Sequence, residues 1–422
     1  MIDLKLLRDD PDAIRAAYAR RGGVDDLDRV VELAREHRDL LAEVESLRAD
    51  QNRASKAIGQ AAPDERQSAI EAARELAERL KEMEPRLEEL QSQVEEAAAY
   101  LPNLPHDSVP EGTTEDQNVV EREVGDKPTF DFEPLDHVEL GERLGIFDGE
   151  RGAKTSGSRF VYVTGPGVFL ELALVRFSLE HLNSHRFLPV VPPVLVRRHA
   201  MYGTGFFPAD EHEFYTVDRD ELYLTGTSEV ALAAMHSEEI LDADKLPVRY
   251  AGFSTCFRRE AGSYGKDTKG LVRVHQFDKI EQFSFAHPDD SWDEYASIRT
   301  NQEKILQALE IPYRVLVMCA GDLGSSAAKK VDNEAWLPGA ARYMEVTSAT
   351  NATDYQSRRL QIRYRSGTGS TRFVHTLNGT ACAIGRTIVA LLENHQREDG
   401  SVSIPEALRP YTGFDEIRPP ID

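Results

Sequence analysis

The chain has 422 residues, which is more than one typical hydrophobic core accommodates and predicts two domains. Its 41% hydrophobic content is enough for both domains to fold without stabilising disulfides or metals. Its 50 basic and 73 acidic side chains give a formal net charge of −23. This balance argues against a chain-wide nucleic-acid surface, because phosphate binding favours basic patches, but it leaves a local basic stripe open.

The termini and cysteines point to the compartment. The N-terminus has an early acidic cluster and no apolar run, and no later segment is long and apolar enough to cross a bilayer. Cys256, Cys319 and Cys382 lie far apart without CxxC spacing, which argues against a disulfide framework and a zinc ribbon. We therefore expect a cytoplasmic protein with reduced thiols, no zinc and no membrane contact.

Two heptad runs dominate the first quarter. Apolar residues recur in alternating steps of three and four from Leu27 to Ile58, and again from Ala73 to Leu101. Gly59 to Pro63 is the strong breaker between the runs. The pattern predicts an antiparallel coiled-coil hairpin about 45–50 Å long, at 1.5 Å per residue.

Cations are scattered along both runs among as many carboxylates, a mixture that is typical of a solvated face, a dimer seam or an adaptor. The cations on the two runs include Arg35, Arg38, Arg48, Arg53, Lys56, Arg66, Arg74 and Arg79. The Pro-, Gly- and acid-rich segment 103–117 follows the arm. We place the domains at 1–108 and 109–422.

The second domain is predicted to be a mixed α/β body. Residues 168–186 have helical periodicity, and the apolar segment 187–196 after them is predicted as a strand. Pro192 and Pro193 exclude a central position, so we expect an edge, a bulge or an interface strand. An exposed apolar edge suggests a homodimer, although intramolecular cover explains it equally well.

A short strand followed by a helix is predicted for ELYLTGTSEVALAAMH, residues 221–236. Thr227, Ser228 and Glu229 stand at the junction. Helix capping accounts for these residue types, because hydroxyls accept from free amides and an acid favours the first turn. The same three side chains could hold a small polar ligand.

A hairpin is predicted for 257–281, FRREAGSYGKDTKGLVRVHQFDKIE. In extended strands Arg258 and Glu260 share a face, as do Arg273, Phe277 and Glu281. Such a face suits an anionic, aromatic ligand such as a nucleotide, whereas a surface ribbon with cross-strand ion pairs is the plainer alternative. The glycine-containing loop 262–270 between the runs is predicted to be mobile.

Two later segments add candidate ligands. Glu345 lies inside a predicted strand and Ser348 near its end, a combination that could bind Mg²⁺ with phosphate. Their parities are opposite, so both reach one metal only if the strand bulges or ends between them. Arg386 lies early in an apolar helix, where its charge needs a carboxylate or a ligand phosphate as partner.

Together these segments resemble a bacterial-type seryl-tRNA synthetase of the class II aminoacyl-tRNA synthetase family, over essentially the whole chain. The residues that carry the resemblance are Pro192-Pro193, FRRE…HQFDKIE, Gly385-Arg386, the TSE at 227–229, the helical hairpin, NLPH at 103–106 and HTLNGT…GRT…LLENHQ. The resemblance implies an α+β fold, with an N-terminal coiled-coil arm before a catalytic domain built on an antiparallel sheet flanked by helices.

The resemblance also implies roles for the nucleotide site. Arg258 would hold the α-phosphate and the amino-acid carboxylate, Glu260 the adenine amino group, and Phe277 the adenine face. Arg273 and Arg386 would bind the outer phosphates, which makes them catalytic together with Arg258. The metal would be Mg²⁺, ligated by Glu345 and Ser348.

For the amino acid, the resemblance implies a serine site of Thr227, Glu229, Arg258, Glu281 and Thr380. It implies ATP and L-serine as substrates, a serine tRNA laid along the arm cations, and a homodimer in which one subunit's arm serves the other's active site. Recognition of that tRNA by shape and backbone suits scattered cations.

Three alternatives stay open at this point. One is a specialised second copy that serves inhibitor self-resistance or a biosynthetic pathway, which departures such as Val331, Asn333 and Ala352 from the usual family residues would suit. The second is a ligase that loads amino acids onto a carrier protein, although those homologues lack the arm. The third is a coiled-coil adaptor with a dead catalytic body.

Overall fold

The structure is a computed structural model, and it describes residues 1–60, 62, 64–261 and 269–420. It divides into two compact units, Met1–Leu104 and Pro105–Asp422. The division falls four residues before the boundary expected after residue 108. The units are described separately below. In the described part of the chain, no helix combines the length and apolar character needed to span a bilayer.

The first unit is helical. Its helices are α1 (Leu4–Asp9), α2 (Pro11–Ala19), α3 (Leu27–Gln60) and α4 (Arg66–Ala98). Capping explains where the short ones begin, because the Asp3 carboxylate accepts from the Lys5 amide and the Asp10 carboxylate from the Ala13 amide. The long pair forms the predicted hairpin, in which Val44 and Leu47 of α3 pack with Leu80 of α4.

The second unit combines a large sheet with helices. Its helices are α5 (His137–Leu144), α6 (Gly149–Ser156), α7 (Pro166–Ser184), α8 (Arg198–Thr204), α9 (Glu229–Ala234), α10 (Ser291–Ala308), α11 (Tyr355–Leu360), α12 (Ile384–Asn394) and α13 (Arg409–Thr412).

Its strands are β1 (Val119–Val124), β2 (Phe147–Asp148), β3 (Tyr162–Val163), β4 (Leu188–Val190), β5 (Leu195–Arg197), β6 (Thr216–Val217), β7 (Leu222–Leu224), β8 (Ile240–Asp242), β9 (Val248–Phe257), β10 (Gln276–Ala286), β11 (Tyr313–Val317), β12 (Lys329–Leu337), β13 (Arg342–Thr353), β14 (Arg363–Arg365), β15 (Arg372–Phe373), β16 (His375–Ala383), β17 (Val402–Ser403) and β18 (Glu416–Ile417).

The described strands of the main sheet run in the order β1-β11-β12-β13-β16-β10-β9-β4. Neighbours are antiparallel except β4, which runs parallel to β9 at one edge. Helices α7, α10 and α12 cover the sheet and bury Leu174, Ile298 and Ile388 against Ile280 and Leu377. This arrangement confirms the predicted α+β class with its helical arm.

The proline-containing segment departs from the prediction of one strand over 187–196. It forms two short strands, β4 and β5, which belong to different sheets, and Pro192 and Pro193, which lack amide hydrogens, lie between them. The edge position was predicted correctly, since β4 ends the main sheet. Leu188 and Val191 are exposed on this edge.

The hairpin strands are shorter than the sequence predicted. Strand β9 ends at Phe257 and β10 begins at Gln276, so Arg258, Glu260 and Arg273 lie in the connecting backbone. Glu260 has a φ of 51°, a left-handed conformation that a strand residue does not adopt. Of the loop expected to be mobile, residues 262–268 lie outside the described residues.

A β-bulge in β13 decides where two candidate ligands face. Glu345 pairs with Glu334 of β12 and Thr347 with Asn333, which leaves Val346 as the extra residue. Ser348, opposite Asp332, therefore shares the face of Glu345 despite the opposite parity. Ser348 is in the middle of β13, not near its end as the sequence suggested.

Candidate active site

A cleft opens between the end of the hairpin, β13 and the start of α12. It brings together charged groups that are far apart in the chain. Its cationic lining residues are Arg258, Arg273, Lys279 and Arg386, and its acidic ones are Glu260 and Glu345. Cations outnumber acids, so the cleft favours an anionic ligand.

The backbone holds Arg258 at the centre of this cleft. Its amide donates to the His275 carbonyl at 3.0 Å, which closes the hairpin beyond the strand ends. Its Nε donates to the Gly226 carbonyl at 3.2 Å, and its guanidinium lies 5.3 Å from the Phe277 ring centroid. Arg258 thus joins the hairpin to the turn before α9 and contacts an aromatic face.

Glu260 and Arg273 form an ion pair across the hairpin. Arg273 donates from Nη1 to Glu260 Oε2 at 2.6 Å, and the Glu260 side chain is only 15% exposed. The left-handed backbone of Glu260 turns this carboxylate back into the cleft. The pair brings together two residues that the sequence predicted as separate nucleotide contacts.

Arg386 and Glu345 form a second pair on the opposite wall. Arg386 Nη1 lies 3.3 Å from Glu345 Oε2 and donates to the Glu345 carbonyl at 2.9 Å. Burial favours the neutral acid, but the charges of Arg386, Lys330 and Arg258 outweigh it and lower the pKa of Glu345 to about 2. The Glu345 carboxylate is therefore ionised near neutral pH.

The deeper end of the site is built on a cross-strand pair. Glu281 of β10 lies opposite Thr380 of β16, and the Thr380 hydroxyl donates to Glu281 Oε2 at 3.0 Å. Lys279 Nζ lies 2.7 Å from the same oxygen. Lys279 and Thr380 also line the cleft, so they connect it to Glu281, which is buried.

A second buried carboxylate, Glu229 at the start of α9, neighbours this pair. The Asn378 side-chain amide donates to Glu229 Oε2 and to Glu281 Oε1, both at 3.2 Å, and thereby bridges the two acids. Gln356 donates to Glu229 Oε1 at 2.7 Å. Burial, with the nearby charge of Glu281, raises the pKa of Glu229 to about 7.

Thr227 is buried directly before α9. Its hydroxyl oxygen accepts from the Glu229 amide at 3.3 Å, whereas the Ser228 side chain makes no capping bond to the helix. The capping explanation therefore applies to Thr227 and not to Ser228. Thr227 and Glu229 are next to each other at the buried end of the site.

Comparison with known proteins places this geometry in a family. The seryl-tRNA synthetase N-terminal domain matches residues 1–105, and the tRNA synthetase class II core domain (G, H, P, S and T) matches residues 214–395. The Serine--tRNA ligases of Thermobifida fusca and Acidothermus cellulolyticus are 50% and 51% identical over 420 residues, 99% of this chain and at least 99% of each relative. The chain belongs to the seryl-tRNA synthetase family.

Solved structures of the family agree. A seryl-tRNA synthetase from Pyrococcus horikoshii complexed with ATP superposes with a TM-score of 0.94 at 43% identity and covers 100% of both chains. A cytoplasmic serine-tRNA ligase from Naegleria fowleri in complex with AMP gives 0.88 at 33% identity over 99% of both. The resemblance inferred from the motifs is confirmed.

The structure groups the predicted residues of this family member into two clusters. Arg258, Glu260, Arg273, Phe277, Glu345, Thr380 and Arg386 line the cleft. Thr227, Glu229 and Glu281 lie at the buried end, where Asn378 joins the two acids. Ser348 stands on the cleft-facing side of β13.

The predicted tRNA contacts all lie on the hairpin helices of the first unit, and several take part in local ion pairs. The pairs are Arg38–Asp39, Arg48–Glu84, Arg53–Asp50, Arg74–Glu78 and Arg79–Glu43. All of these side chains are at least 39% exposed. The pairs make the arm a solvated, mixed-charge surface, as the composition predicted.

Sequence reasoning gave no role to Lys279, Asn378 or Gln356. Lys279 was visible on the face of Glu281, because residues two apart in a strand share a face. Asn378 and Gln356 had no such signal, since their partner Glu229 lies 149 and 127 positions away in the chain.

Proposed function

We propose that this chain activates L-serine with ATP to form seryl-adenylate and then transfers serine to the 3′ end of a serine tRNA. The observation that carries the proposal is the continuity of the site. Lys279 and Thr380 line the cationic cleft and also bind Glu281, so an anionic ligand in the cleft and a hydroxylated one at the buried end would meet. The family relatives are consistent with this activity.

At the nucleotide end, ligand phosphates would replace carboxylates as partners of arginine. Arg273 and Arg386 now pair with Glu260 and Glu345, and an arginine fork suits a phosphate as well as a carboxylate. Glu260, released from Arg273, would accept from the adenine amino group. Phe277 offers the ring face for the base.

Mg²⁺ fits the donor set on β13. Glu345 is an ionised carboxylate, and the bulge brings the Ser348 hydroxyl to the same face. Among the described residues no cluster of three or more His, Cys, Asp or Glu could hold a metal. Mg²⁺ usually takes one or two protein oxygens and completes its shell with phosphates and water, so this pair suffices. When bound, the ion would neutralise phosphate charge.

The reaction needs no protein nucleophile. A serine carboxylate oxygen attacks the α-phosphorus of ATP, and the bond to the leaving pyrophosphate breaks. A terminal ribose hydroxyl of the tRNA then attacks the seryl carbonyl and AMP leaves. Arg258 would hold the carboxylate against the α-phosphate, and the arginines would stabilise the charge on the phosphates, which is how phosphoryl-centre displacement is usually accelerated.

Selectivity for serine would come from the buried end. Glu281 and Thr380 would bind the hydroxyl of the substrate, and Thr227 with Glu229 would bind its ammonium group. A site built around a hydroxyl rejects alanine, because its own polar groups would then be left without a partner.

The arm would bind the tRNA, and a homodimer would let one subunit's arm serve the active site of the other. Support comes from the match of the first 105 residues to the seryl-tRNA synthetase N-terminal domain and from the exposed apolar edge at β4. The same N-terminal match argues against the carrier-protein ligase, whose homologues lack an arm.

Amino-acid-dependent ATP–pyrophosphate exchange across all twenty amino acids tests the activation step. We expect the strongest exchange with L-serine and dependence on Mg²⁺. Aminoacylation of total tRNA with labelled serine tests the transfer step. Stronger exchange with any other amino acid, or no exchange with serine, would contradict the proposal.

A further inference from the structure

Lys279 and Glu281 form a buried ion pair at the boundary between the cleft and the serine end. Nζ lies 2.7 Å from Oε2, and the side chains are only 8% and 1% exposed. Both project from the same face of β10, since they are two residues apart in a strand. Burying two charges carries a large desolvation cost, and replacing such a pair by apolar residues is often neutral or stabilising. This makes a functional role for the pair worth testing.

In the described contacts, the neighbouring acid Glu229 is held by neutral side-chain donors. Glu229 is also buried, and its bonds of 2.7 and 3.2 Å come from the amides of Gln356 and Asn378. Burial is the largest cause that raises its pKa, to about 7, so it carries a proton much of the time near neutral pH. Glu281 differs by having a cation in contact with its carboxylate.

The bonds to Glu281 also fix its orientation. Oε2 contacts the Lys279 ammonium and accepts a hydrogen bond from the Thr380 hydroxyl, and Oε1 accepts one from the Asn378 side-chain amide. A carboxylate has about four acceptor positions, so these described contacts leave room for about one more donor. One free position on a charged, immobilised acceptor matches a single substrate hydroxyl.

We propose that Lys279 is a positioning residue for amino-acid selectivity, whose ammonium contact holds Glu281 turned toward Thr380 so that Glu281 accepts the hydroxyl of serine. The inference deepens the proposed function and rests on it. Lys279 acts through Glu281. Without the lysine, Glu281 would lose one of the contacts that orient it, and the site would lose its preference for a hydroxylated side chain over a methyl group.

A second buried ion pair in the same sheet provides a matched control. Arg249 of β9 donates from Nε to Glu294 of α10 at 2.8 Å, and the side chains are 21% and 4% exposed. Arg249 pairs with Ser284, which places it at the other end of the hairpin from Arg258. Arg249→Met therefore removes a comparable cation without altering the proposed site.

The experiment measures pyrophosphate exchange by wild type, Lys279→Met, Lys279→Arg and Arg249→Met, with serine, alanine and ATP each varied. For Lys279→Met we expect kcat/KM for serine to fall roughly hundredfold, mainly through the KM for serine, with a much smaller change in the KM for ATP. The serine-to-alanine preference should narrow about tenfold or more. Lys279→Arg should retain most of the wild-type preference for serine over alanine, and Arg249→Met should retain all of it.

The outcomes separate the two hypotheses. Wild type that fails to exchange with serine overturns the proposed function itself. If wild type exchanges with serine but Lys279→Met keeps the serine-to-alanine preference, only the role of Lys279 is overturned. The same holds if the KM values of Lys279→Met for serine and for ATP rise equally. If Lys279→Met does not fold by circular dichroism, Lys279→Gln takes its place, because its shorter, neutral side chain also removes the ammonium contact with Glu281 but leaves a polar group in the buried site. An unchanged preference in that variant has the same meaning.

Discussion

The charged residues of the arm and of the catalytic body differ in burial much more than in composition. On the arm, the side chains of the Arg48–Glu84 pair are 53% and 43% exposed. In the body, those of Lys279–Glu281 are 8% and 1% exposed. Exposed pairs contribute about 0–1 kcal/mol and exchange partners easily, whereas breaking a buried pair by removing one partner costs about 3–5 kcal/mol.

The difference separates two modes of recognition. Solvated arginines on a helical arm can leave their carboxylates for phosphates at small cost, which suits recognition of a large polyanion by shape. Fixed charges in the body suit a small ligand whose atoms must be placed within fractions of an ångström. Substitutions in the body should therefore have larger effects than substitutions on the arm.

Replacing Arg258 should have the largest effect. Arg258→Met removes the guanidinium held by the Gly226 carbonyl beside Phe277, and we expect kcat/KM in serine-dependent exchange to fall by about 10³-fold or more. Arg365→Met, at an exposed arginine of β14, serves as control and should keep wild-type exchange. Near-normal exchange by Arg258→Met would show that the body does not depend on fixed charge.

Deleting roughly residues 30–100 should divide the two half-reactions. We expect exchange within about threefold of wild type, because the cleft residues all belong to the second unit, and a loss of tRNA charging of about 10²-fold or more. Both reactions are measured on the same preparation. Loss of exchange in parallel with charging would contradict the assignment of tRNA binding to the arm.

The KM for serine should depend on pH through Glu229. As the pH rises through about 7, this carboxyl loses its proton and becomes an acceptor for the substrate ammonium, so we expect the KM to fall, by up to about tenfold from pH 6 to pH 8. The raised pKa of Glu229 has the opposite effect on folding, because its contribution to the free energy of unfolding falls as the pH rises. The contribution is greatest below the ordinary value of 4.5 and is lost as the pH rises through about 7.

Glu229→Gln is the test of that pH dependence. The variant cannot titrate, so the slope of the KM for serine between about pH 6 and 8 should flatten, whatever its absolute value. Glu281, Lys279 and Arg258 are the charged groups that act on Glu229, and all three remain in the variant. An unaltered slope would assign the titration to another group.

Single substitutions on the arm should have the smallest effects. We expect Arg48→Gln to change the free energy of unfolding by less than about 1 kcal/mol and to lower tRNA charging a few-fold at low salt, with a smaller difference at high salt. Glu84→Gln removes the same ion pair but keeps the cation, so charging should not fall. Equal effects of the two variants would indicate that the ion pair, and not a phosphate contact, matters there.

Periodicity was enough to predict the elements whose packing is local. The helical patterns of 168–186 and of the region after Ala383 correspond to α7 and α12. Each helix buries one apolar face against the sheet, and that face is visible in the sequence as a periodic pattern. The predicted strand ends around Arg258 were wrong, because the chain leaves the sheet there. Glu260 adopts a left-handed backbone conformation and its side chain pairs with Arg273. Parity alone could not reveal that turn.

Residues that act through distant partners could not be predicted. Asn378 bridges Glu229 and Glu281 only because β16, α9 and β10 converge in the folded chain. Its sequence context, Asn-Gly-Thr in a strand, gives no sign of two buried acids. By contrast, the opposite parity of Glu345 and Ser348 indicated that the two side chains could share a face only if the strand bulged or ended between them. Strand β13 has such a bulge.

The bulge at Val346 makes chain length in this strand more important than residue identity. A valine-to-isoleucine change at this buried position should alter only packing. Deleting the residue would instead turn either Glu345 or Ser348 to the opposite side of the sheet, because each residue removed from a strand reverses the facing of all that follow. We therefore expect functional members of this family to vary in what occupies the bulge but to resist a single-residue insertion or deletion there.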